Sequence, residues 1–444
     1  MKTAPRDWQA LVGVTIGCLL AGALGWLAPQ HPVLALAAAA AVLLVGISAL
    51  HTAAIPLLAL PLLYVPVRLN VGASDLSVSD AALGLATLAA VVFAPRPLSR
   101  ELRTLMWLVA VYQVATLFTV VANPYTANTI EWVHAGVLVA GALLVGWAVG
   151  RTGHARLGLR LMLVAAVTMA TWVIVVGLLQ AVRGDFQPVY LPNGFHKNFM
   201  GTVMGTTALI AYIRPAWLGM RRRIALPVFW WLAIGIGFTQ SRQAIVALGI
   251  ALCILVLRTR TDRRRSKVVL LAVVPAFVIV LTLVRDQFAS GNEHNSFFTR
   301  LSWFREALDI WQTQPLVGVG LRWWYTDRFP GGIQPPNAEL EVLTSAGILG
   351  LLAFLVMVIG AVVVLWKLPP AYGALALLAV ISRLVQGQLD LFWVAAQTSI
   401  PFVIAGICLG ALTHAEDIRH PSDALAEALP DAGPRSPAVR TDVA

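Results

Sequence analysis

The chain has 444 residues, of which 59% are hydrophobic and only 12% are charged. Soluble globular domains carry about 25% charged residues, so this composition excludes an ordinary soluble protein and indicates an integral membrane protein. The long apolar runs do not alternate in polarity, which excludes a membrane β-barrel. A net charge of +11 could suggest binding of nucleic acid. The positions of the basic residues instead follow membrane topology.

The apolar runs predict an all-α membrane protein with about twelve to fourteen transmembrane helices. In chain order they lie near residues 9–28, 33–50, 53–68, 80–95, 104–122, 131–150, 161–182, 199–213, 224–240, 242–258, 268–284, 345–366, 371–388 and 391–412. With a cytoplasmic N-terminus, every arginine-rich connection falls on the cytoplasmic side, as the positive-inside rule requires. Topology therefore accounts for much of the basic charge, and we predict no nucleic acid partner.

We expect one transmembrane domain over residues 1–412 and a disordered cytoplasmic tail over 413–444, because the tail is rich in Ala, Pro and Asp. The three cysteines are far apart inside apolar runs, and no Cys/His cluster has metal-ligand spacing. The sequence therefore predicts no metal site and no other cofactor.

The longest polar stretch, residues 285–344, is predicted to form one extracytoplasmic loop. Within it, apolar residues recur at helical spacing at Phe297, Leu301, Phe304, Leu308 and Trp311. This pattern predicts an amphipathic helix on the outer membrane surface, with Asn295 as its N-cap residue. Glycines and prolines at 318–336 then predict an irregular segment, and Asn337 is predicted to cap the helix that re-enters the membrane.

Arg242 lies between two apolar runs with almost no connecting loop. An arginine at this depth is costly and generally faces a partner or a water-filled cavity. Its guanidinium suits phosphate oxygens. The alternative is an arginine that snorkels to the extracytoplasmic surface.

Several other extracytoplasmic cations oppose the topology rule, which indicates either an anionic ligand or ordinary ion pairs. They are Lys197, Arg285, Arg300, Arg305, Arg322, Arg328 and Arg383. Arg305 has the spacing of a helix-surface ion pair with Asp309. Arg300 has no acid three or four residues away within the proposed helix, so it is the better candidate for ligand binding. The aromatic run that begins at Trp323 suits either stacking on sugars or anchoring at the membrane interface.

Four segments occur in an order and spacing typical of one family. They are GFHKNFMG (194–201), TQSRQAIVAL (239–248), TRLSWFREALDIWQTQPLVGVGL (299–321) and PNAELEVLTSAGILGLLAF (336–354). Together they resemble the bacterial O-antigen ligase and O-antigen polymerase superfamily. The second resembles its Ser-Arg-Gly/Ala segment, the third its arginine and P-x-x-G-x-G series, and the fourth its Asn-x-x-Leu and Gly-x-x-Gly pattern.

The resemblance implies a GT-C-like fold and a glycosyltransferase that ligates or polymerises saccharides carried on polyprenyl diphosphate. The reaction would take place at the outer face of the bacterial inner membrane during surface polysaccharide assembly, with both protein termini in the cytoplasm. The partners would be the lipid-linked saccharide, a glycan or lipid-glycan acceptor, and membrane lipids. Arg242 and Arg300 fall on the positions that would bind the diphosphate.

Pro336 occupies the position of the histidine that would activate the acceptor hydroxyl in this superfamily. Proline has no basic group. Glu339 lies one helical turn later on the same face, so we predict it as the catalytic base. Glu341, which points away from Glu339, and the two extracytoplasmic histidines His196 and His294 are the alternatives. The further predicted substrate-contacting residues are His196, Lys197, Arg305, Arg322, Trp323, Asn337 and Glu341.

Two other functions stay open at this point. A transporter or flippase of a lipid-linked or anionic substrate would share the many spans and the buried arginine, although the internal repeats common in transporters are missing. A non-catalytic relative would explain the proline at position 336. The sequence does not distinguish a ligase from a polymerase, because both use the same class of donor.

Overall fold

The computed structural model describes residues 51–69, 76–258 and 296–419 apart from 327 and 330, together with isolated positions before residue 51. The predicted spans near 9–28, 33–50 and 268–284 lie largely outside the described residues. So do Arg285, His294, the predicted cap Asn295, the side chain of Phe297, and the tail beyond residue 419. Within the described ranges the chain is helical, apart from an isolated antiparallel bridge between Arg68 and Ser77.

The described helices come in the order that the apolar runs predict. They are α1 (Ala54–Leu62), α2 (Val78–Phe93), α3 (Arg100–Ala122), α4 (Thr126–Gly136), α5 (Ala142–Val149), α6 (Ala155–Val182), α7 (Lys197–Ile213), α8 (Arg222–Thr239), α9 (Arg242–Leu257), α10 (Ser296–Thr313), α11 (Ala338–Lys367), α12 (Pro370–Gly387) and α13 (Ala395–Arg419).

Five helical stretches among the described residues are long and apolar enough to cross a membrane. They are Arg100–Ala122, Thr126–Val182, Ala338–Lys367, Pro370–Gly387 and Ala395–Arg419. Thr126–Val182 has 57 residues, which at 1.5 Å per residue is far longer than the roughly 30 Å hydrocarbon core. A positive φ of 82° at Gly153 breaks it between the two predicted spans. This architecture is that of an integral membrane protein; the predicted total of about fourteen spans stays a prediction.

Helices α5 and α13 approach each other closely because each has small residues four positions apart. Gly146 and Gly150 lie at the end of α5, and Gly406 and Gly410 lie in α13. A Cβ atom on Gly146 would lie 2.1 Å from the carbonyl oxygen of Val403. Such small-residue spacing permits backbone contact between helices in a membrane, and here it lets the backbones of the two helices touch.

The irregular segment after α10 docks into a break in α11. Gly347 interrupts α11 with a φ of 66°, and the freed backbone groups pair with the preceding loop. The Val319 N–H donates to the Thr344 carbonyl at 3.1 Å, and the Ile348 N–H donates to the Pro315 carbonyl at 2.9 Å. A Cβ atom on Gly347 would lie 2.3 Å from the Leu316 carbonyl oxygen. Glycine is therefore required at this position, since only glycine combines positive φ with such close backbone contact.

The predicted loop helix is present as α10, and it packs on α11. Its most buried side chains are Ala307 and Ile310, whereas Leu308 on the predicted apolar face is 37% exposed. The helix therefore uses one face against the protein and leaves part of the predicted apolar face uncovered. That arrangement suits a helix at the membrane surface, where lipid covers such a face.

Candidate functional site

Arg242 and Arg300 come within electrostatic range of each other although they are far apart in the sequence. Helix α8 ends at Thr239, Gln240 turns the chain with a φ of 51°, and Arg242 is the first residue of α9. No side chain caps the N-terminus of α9. Burial lowers the pKa of Arg300; a nearby carboxylate, Asp390, raises it, and Arg242 lowers it again. We call Arg242 and Arg300 the arginine pair.

Asp390 lies beside the arginine pair, in the connection between α12 and α13. The Gln243 side-chain amide donates to Asp390 Oδ2 at 2.9 Å, which ties this carboxylate to the first turn of α9. Burial raises the pKa of Asp390, whereas the Leu391 N–H and nearby cations, Arg300 among them, lower it. One buried carboxylate thus faces a group of cations.

Arg383 fixes the connection that carries Asp390. Its side chain is completely buried, and it donates to the carbonyl oxygens of Leu391, at 2.7 Å, and Phe392. Glu341 accepts from the Phe392 N–H at 3.1 Å and from the Gln334 side chain at 2.7 Å. The predicted substrate-contacting residue Glu341 therefore holds the backbone in place around Asp390.

A cavity of about 410 Å³ opens next to Asp390, under the loop. Of the predicted substrate-contacting residues, His196 and Arg322 line it. His196 also accepts from the Asn198 N–H at 3.3 Å at the start of α7, and partial burial lowers its pKa. Lys197 lies next in the chain, with its Nζ 5.9 Å from the ring centroid of Tyr190.

The aromatic run Trp323–Tyr325 divides between the core and the cavity. Trp323 is completely buried in a small cluster with Ile310 and Val319 and does not line the cavity, so its contact with substrate stays a prediction. Its size and its place beneath a docked loop make it a packing residue. Trp324 and Tyr325 line the cavity instead.

Four charged side chains form a continuous chain in the cavity wall, which we call the charge chain: Asp80, His134, Glu131 and Arg322. His134 Nε2 lies 2.9 Å from Asp80 Oδ1, and His134 Nδ1 lies 3.2 Å from Glu131 Oε2. The same Glu131 oxygen forms an ion pair with Arg322 Nε. Ionised carboxylates only accept hydrogen bonds, so His134 donates through both nitrogens and is an imidazolium.

The segment between α3 and α4 anchors the loop above this cavity. The Asn123 side chain donates to the Gly318 carbonyl at 3.1 Å, and Asn128 Oδ1 accepts from the Leu321 N–H at 2.8 Å. Tyr125 donates to the Leu321 carbonyl at 3.1 Å. The loop is therefore held from two sides, by this segment and by the break in α11.

The predicted base, Glu339, lies at the start of α11 and is not among the residues that line the cavity. Its Oε1 accepts from the Gln388 side chain at 2.7 Å, and its Oε2 is buried with no hydrogen-bond partner in the described part of the chain. Asn337 caps α11 as predicted, accepting from the Leu340 N–H at 3.0 Å. Its amide also donates to Gln388, at 3.3 Å.

Arg305, the remaining predicted substrate-contacting residue, is exposed on α10. The helix-surface ion pair predicted for Arg305 and Asp309 is not formed in the described structure. Its exposure leaves Arg305 as a surface residue of the loop helix.

Sequence reasoning missed Asp80, Glu131 and His134. The rule that singled out Arg242 would have found them, because Glu131 and His134 lie in a predicted span and intramembrane ionisable residues are usually functional. The ion pair between Glu131 and Arg322 of the loop joins residues that are far apart in the sequence, so residue spacing does not reveal it.

The geometry therefore has two parts: an arginine pair with Asp390, suited to an anion, and an adjoining polar and aromatic cavity. A family model described as O-antigen ligase matches residues 227–355. This stretch begins in α8, ends in α11 and contains Arg242, Arg300 and Glu339, so it confirms the predicted superfamily resemblance. No curated protein matches the chain.

Proposed function

We propose that this chain, whose residues 227–355 match a family model described as O-antigen ligase, is a membrane glycosyltransferase of surface polysaccharide assembly. The family suggests such an enzyme, acting on lipid-linked saccharides and glycan acceptors. We further propose that the donor saccharide is carried on polyprenyl diphosphate and that transfer takes place at the extracytoplasmic face of the bacterial inner membrane. The acceptor is a glycan or a lipid-linked glycan.

The observation that carries this proposal is the proximity of Arg242 and Arg300. Both side chains are partly buried, and Gln243, which follows Arg242, donates to Asp390 at 2.9 Å. Burial lowers the pKa of Arg300, attraction by Asp390 raises it, and repulsion from Arg242 lowers it. Asp390 supplies one negative charge nearby, while a diphosphate would bring at least two. Arginine is suited to this ligand because its planar fork binds phosphate oxygens in pairs.

The uncapped N-terminus of α9 supports the same assignment. The Ser241 side chain forms no capping hydrogen bond there in the described structure, and the N-terminus of a helix favours anions. Arg242 is the first residue of that helix, so its guanidinium and the helix dipole act on the same region. The diphosphate would then lie between the start of α9 and Arg300 of α10.

The proposed reaction forms a bond between an acceptor hydroxyl oxygen and the anomeric carbon of the donor sugar. The bond from that carbon to the diphosphate oxygen breaks, and its electron pair leaves with the polyprenyl diphosphate. The arginine pair stabilises the charge that develops on this leaving group, which is commonly the largest catalytic contribution. The hydroxyl proton passes to a general base, whose help is worth roughly 10²–10⁴-fold in rate.

Glu339 is the base that helix geometry predicts, and its role stays a proposal. Its unpartnered Oε2 is consistent with proton acceptance. Its position outside the cavity lining means that the acceptor hydroxyl would approach from the side of Gln388.

Release of polyprenyl diphosphate tests this function. A strain lacking the gene should accumulate the lipid-linked saccharide, which can be extracted and given to the purified protein with its envelope acceptor. We expect stoichiometric release of polyprenyl diphosphate and a new glycosidic bond. Movement of the intact lipid-linked saccharide across a vesicle, with no bond cleaved, would instead establish the flippase alternative. Neither cleavage nor movement would leave a non-catalytic relative.

A further inference from the structure

We propose that the cavity walled by the charge chain is the saccharide-binding site, taking a neutral sugar ring through Glu131, Trp324 and Tyr325. This inference rests on the proposed function and deepens it by separating the site for sugar from the site for diphosphate. Asp80, Glu131 and His134 lie outside the family match at residues 227–355.

The charges around the cavity indicate a neutral ligand. The positive groups that line it are Arg68, Arg322 and the imidazolium of His134, and the negative groups are Asp80, Glu131 and Asp390. The charge chain itself is balanced, with two carboxylates facing two cations. An anionic ligand would gain little here, in contrast to the arginine pair. A neutral molecule with many hydroxyls can use both the acceptors and the donors of such a wall.

Glu131 has one oxygen available for such a ligand. Its Oε2 is used by both His134 and Arg322, while no hydrogen bond to its Oε1 is found among the described residues. The residue is only 6% exposed and lines the cavity. Because Glu131 lines the cavity, its carboxylate can accept a hydrogen bond from a donor that enters there.

The carboxylates are held rigidly before any ligand arrives. Asp80 Oδ2 accepts from the Ser77 backbone N–H at 2.9 Å and from the Ser77 hydroxyl at 2.7 Å, while Oδ1 faces His134. Glu131 is held by cations from α4 and from the loop. Preorganised acceptors lose little freedom on binding, which favours affinity for small polar ligands.

The aromatic side of the cavity completes a sugar site. Trp324 is partly buried and Tyr325 is exposed, and both line the same cavity as Glu131. Indole and phenol rings offer apolar faces to the C–H groups of a sugar and retain a polar end. The volume of about 410 Å³ falls in the usual range of roughly 300–1,000 Å³ for small-molecule sites.

Two binding measurements on the full-length protein in nanodiscs test this division. The first probe is the saccharide freed by mild acid from the lipid-linked donor of the deletion strain; the second is polyprenyl diphosphate alone. We expect Trp324→Ala and Tyr325→Ala each to weaken saccharide binding by about threefold to tenfold and to leave polyprenyl diphosphate binding unchanged. Arg242→Ala should show the reverse pattern.

Trp107→Ala is the matched control, because Trp107 is 73% exposed on α3 and does not line the cavity. Glu131→Gln should also weaken saccharide binding, and its melting temperature shows whether folding is intact. Unchanged saccharide affinity in both Trp324→Ala and Tyr325→Ala, or no saccharide binding by the wild-type protein, would overturn the inference. Repeating the titration with the envelope acceptor glycan identifies whether donor or acceptor sugar occupies the cavity.

The two proposals fail separately in these experiments. Saccharide binding without release of polyprenyl diphosphate would overturn the proposed transferase function and leave the saccharide site standing. Release of polyprenyl diphosphate at an unchanged rate and KM in Trp324→Ala and Tyr325→Ala would overturn the saccharide site alone.

Discussion

The arginine pair and the charge chain are built from the same kinds of residue, but their charges are arranged in opposite ways. In the charge chain each cation of His134 and Arg322 meets the carboxylate of Glu131, and the sum is neutral. In the arginine pair, Arg242 and Arg300 lie within range of each other and share the neighbourhood of Asp390. Balanced charge suits a structural and neutral-ligand role, whereas concentrated positive charge suits an anionic ligand.

This difference separates stability from activity. In the charge chain, oppositely charged side chains pair with one another and should stabilise the fold. In the arginine pair, like charges lie close together, which should lower stability in return for function. Substitutions in the two regions should therefore move the melting temperature and the turnover rate independently.

The largest effect is expected from the arginine pair. Arg242→Ala or Arg300→Ala should lower the rate of polyprenyl diphosphate release about 10²–10³-fold, as does loss of one group that stabilises developing negative charge. The melting temperature should change little in comparison, because both side chains are only partly buried. Arg242→Lys is the matched control: it keeps the charge without the planar fork and should retain intermediate activity. Full activity in both alanine variants would remove the diphosphate assignment.

Substitutions in the charge chain should mainly lower thermal stability, in contrast to substitutions in the arginine pair, which should mainly lower activity. Glu131→Gln leaves His134 and Arg322 without their shared carboxylate, and breaking one partner of a buried ion pair costs about 3–5 kcal/mol. Thermal unfolding should show a clearly lower melting temperature. The double variant Glu131→Gln/Arg322→Gln should recover part of that loss, since the unpaired guanidinium is gone. A double variant no more stable than Glu131→Gln would show that the ion pair with Arg322 does not stabilise the fold.

The break in α11 allows a test of whether its contact with the preceding loop fixes that loop in place. Gly347→Ala places a Cβ atom 2.3 Å from the Leu316 carbonyl oxygen at a positive φ, which costs about 1–3 kcal/mol from the backbone strain alone. Gly237→Ala in α8 is the control, because a Cβ there meets no atom within 4 Å. Limited proteolysis of the loop should increase in Gly347→Ala and not in Gly237→Ala. Equal protection in both would show that the loop does not depend on this contact.

The smallest effect is expected at Arg305. This arginine is exposed on α10 and forms no ion pair with Asp309 in the described structure, so Arg305→Ala should change stability by no more than about 0.5 kcal/mol. Turnover should stay within about twofold of the wild type. A large loss of activity would restore Arg305 as a substrate-contacting residue and extend the cationic region along α10.

Local patterns predicted the elements well and the contacts between them poorly. Apolar periodicity located α10, and the residue type at 337 predicted the cap of α11, because both depend on neighbours within one or two turns. That Thr126–Val182 contains two spans stays a prediction from its length. The docking of the loop into the break in α11 could not be predicted from the sequence. It depends on backbone hydrogen bonds between Pro315–Gly320 and Thr344–Leu349, which residue spacing does not reveal.

Sequence reasoning singled out residues that are unusual by themselves and missed residues that act in combination. Arg242 was conspicuous as an intramembrane charge, whereas three adjacent aromatic residues cannot be told apart without their environments, and of these Trp323 is buried. The charge chain joins α2, α4 and the loop. Only the folded structure places Asp80 and Arg322 in the same wall.

A structure of the protein with bound polyprenyl diphosphate would test the central claim most directly. We predict that diphosphate oxygens lie within hydrogen-bond distance of both Arg242 and Arg300, at the N-terminus of α9, and that the charge chain stays as it is. A diphosphate bound elsewhere, with Arg242 and Arg300 making no contact to it, would contradict the account.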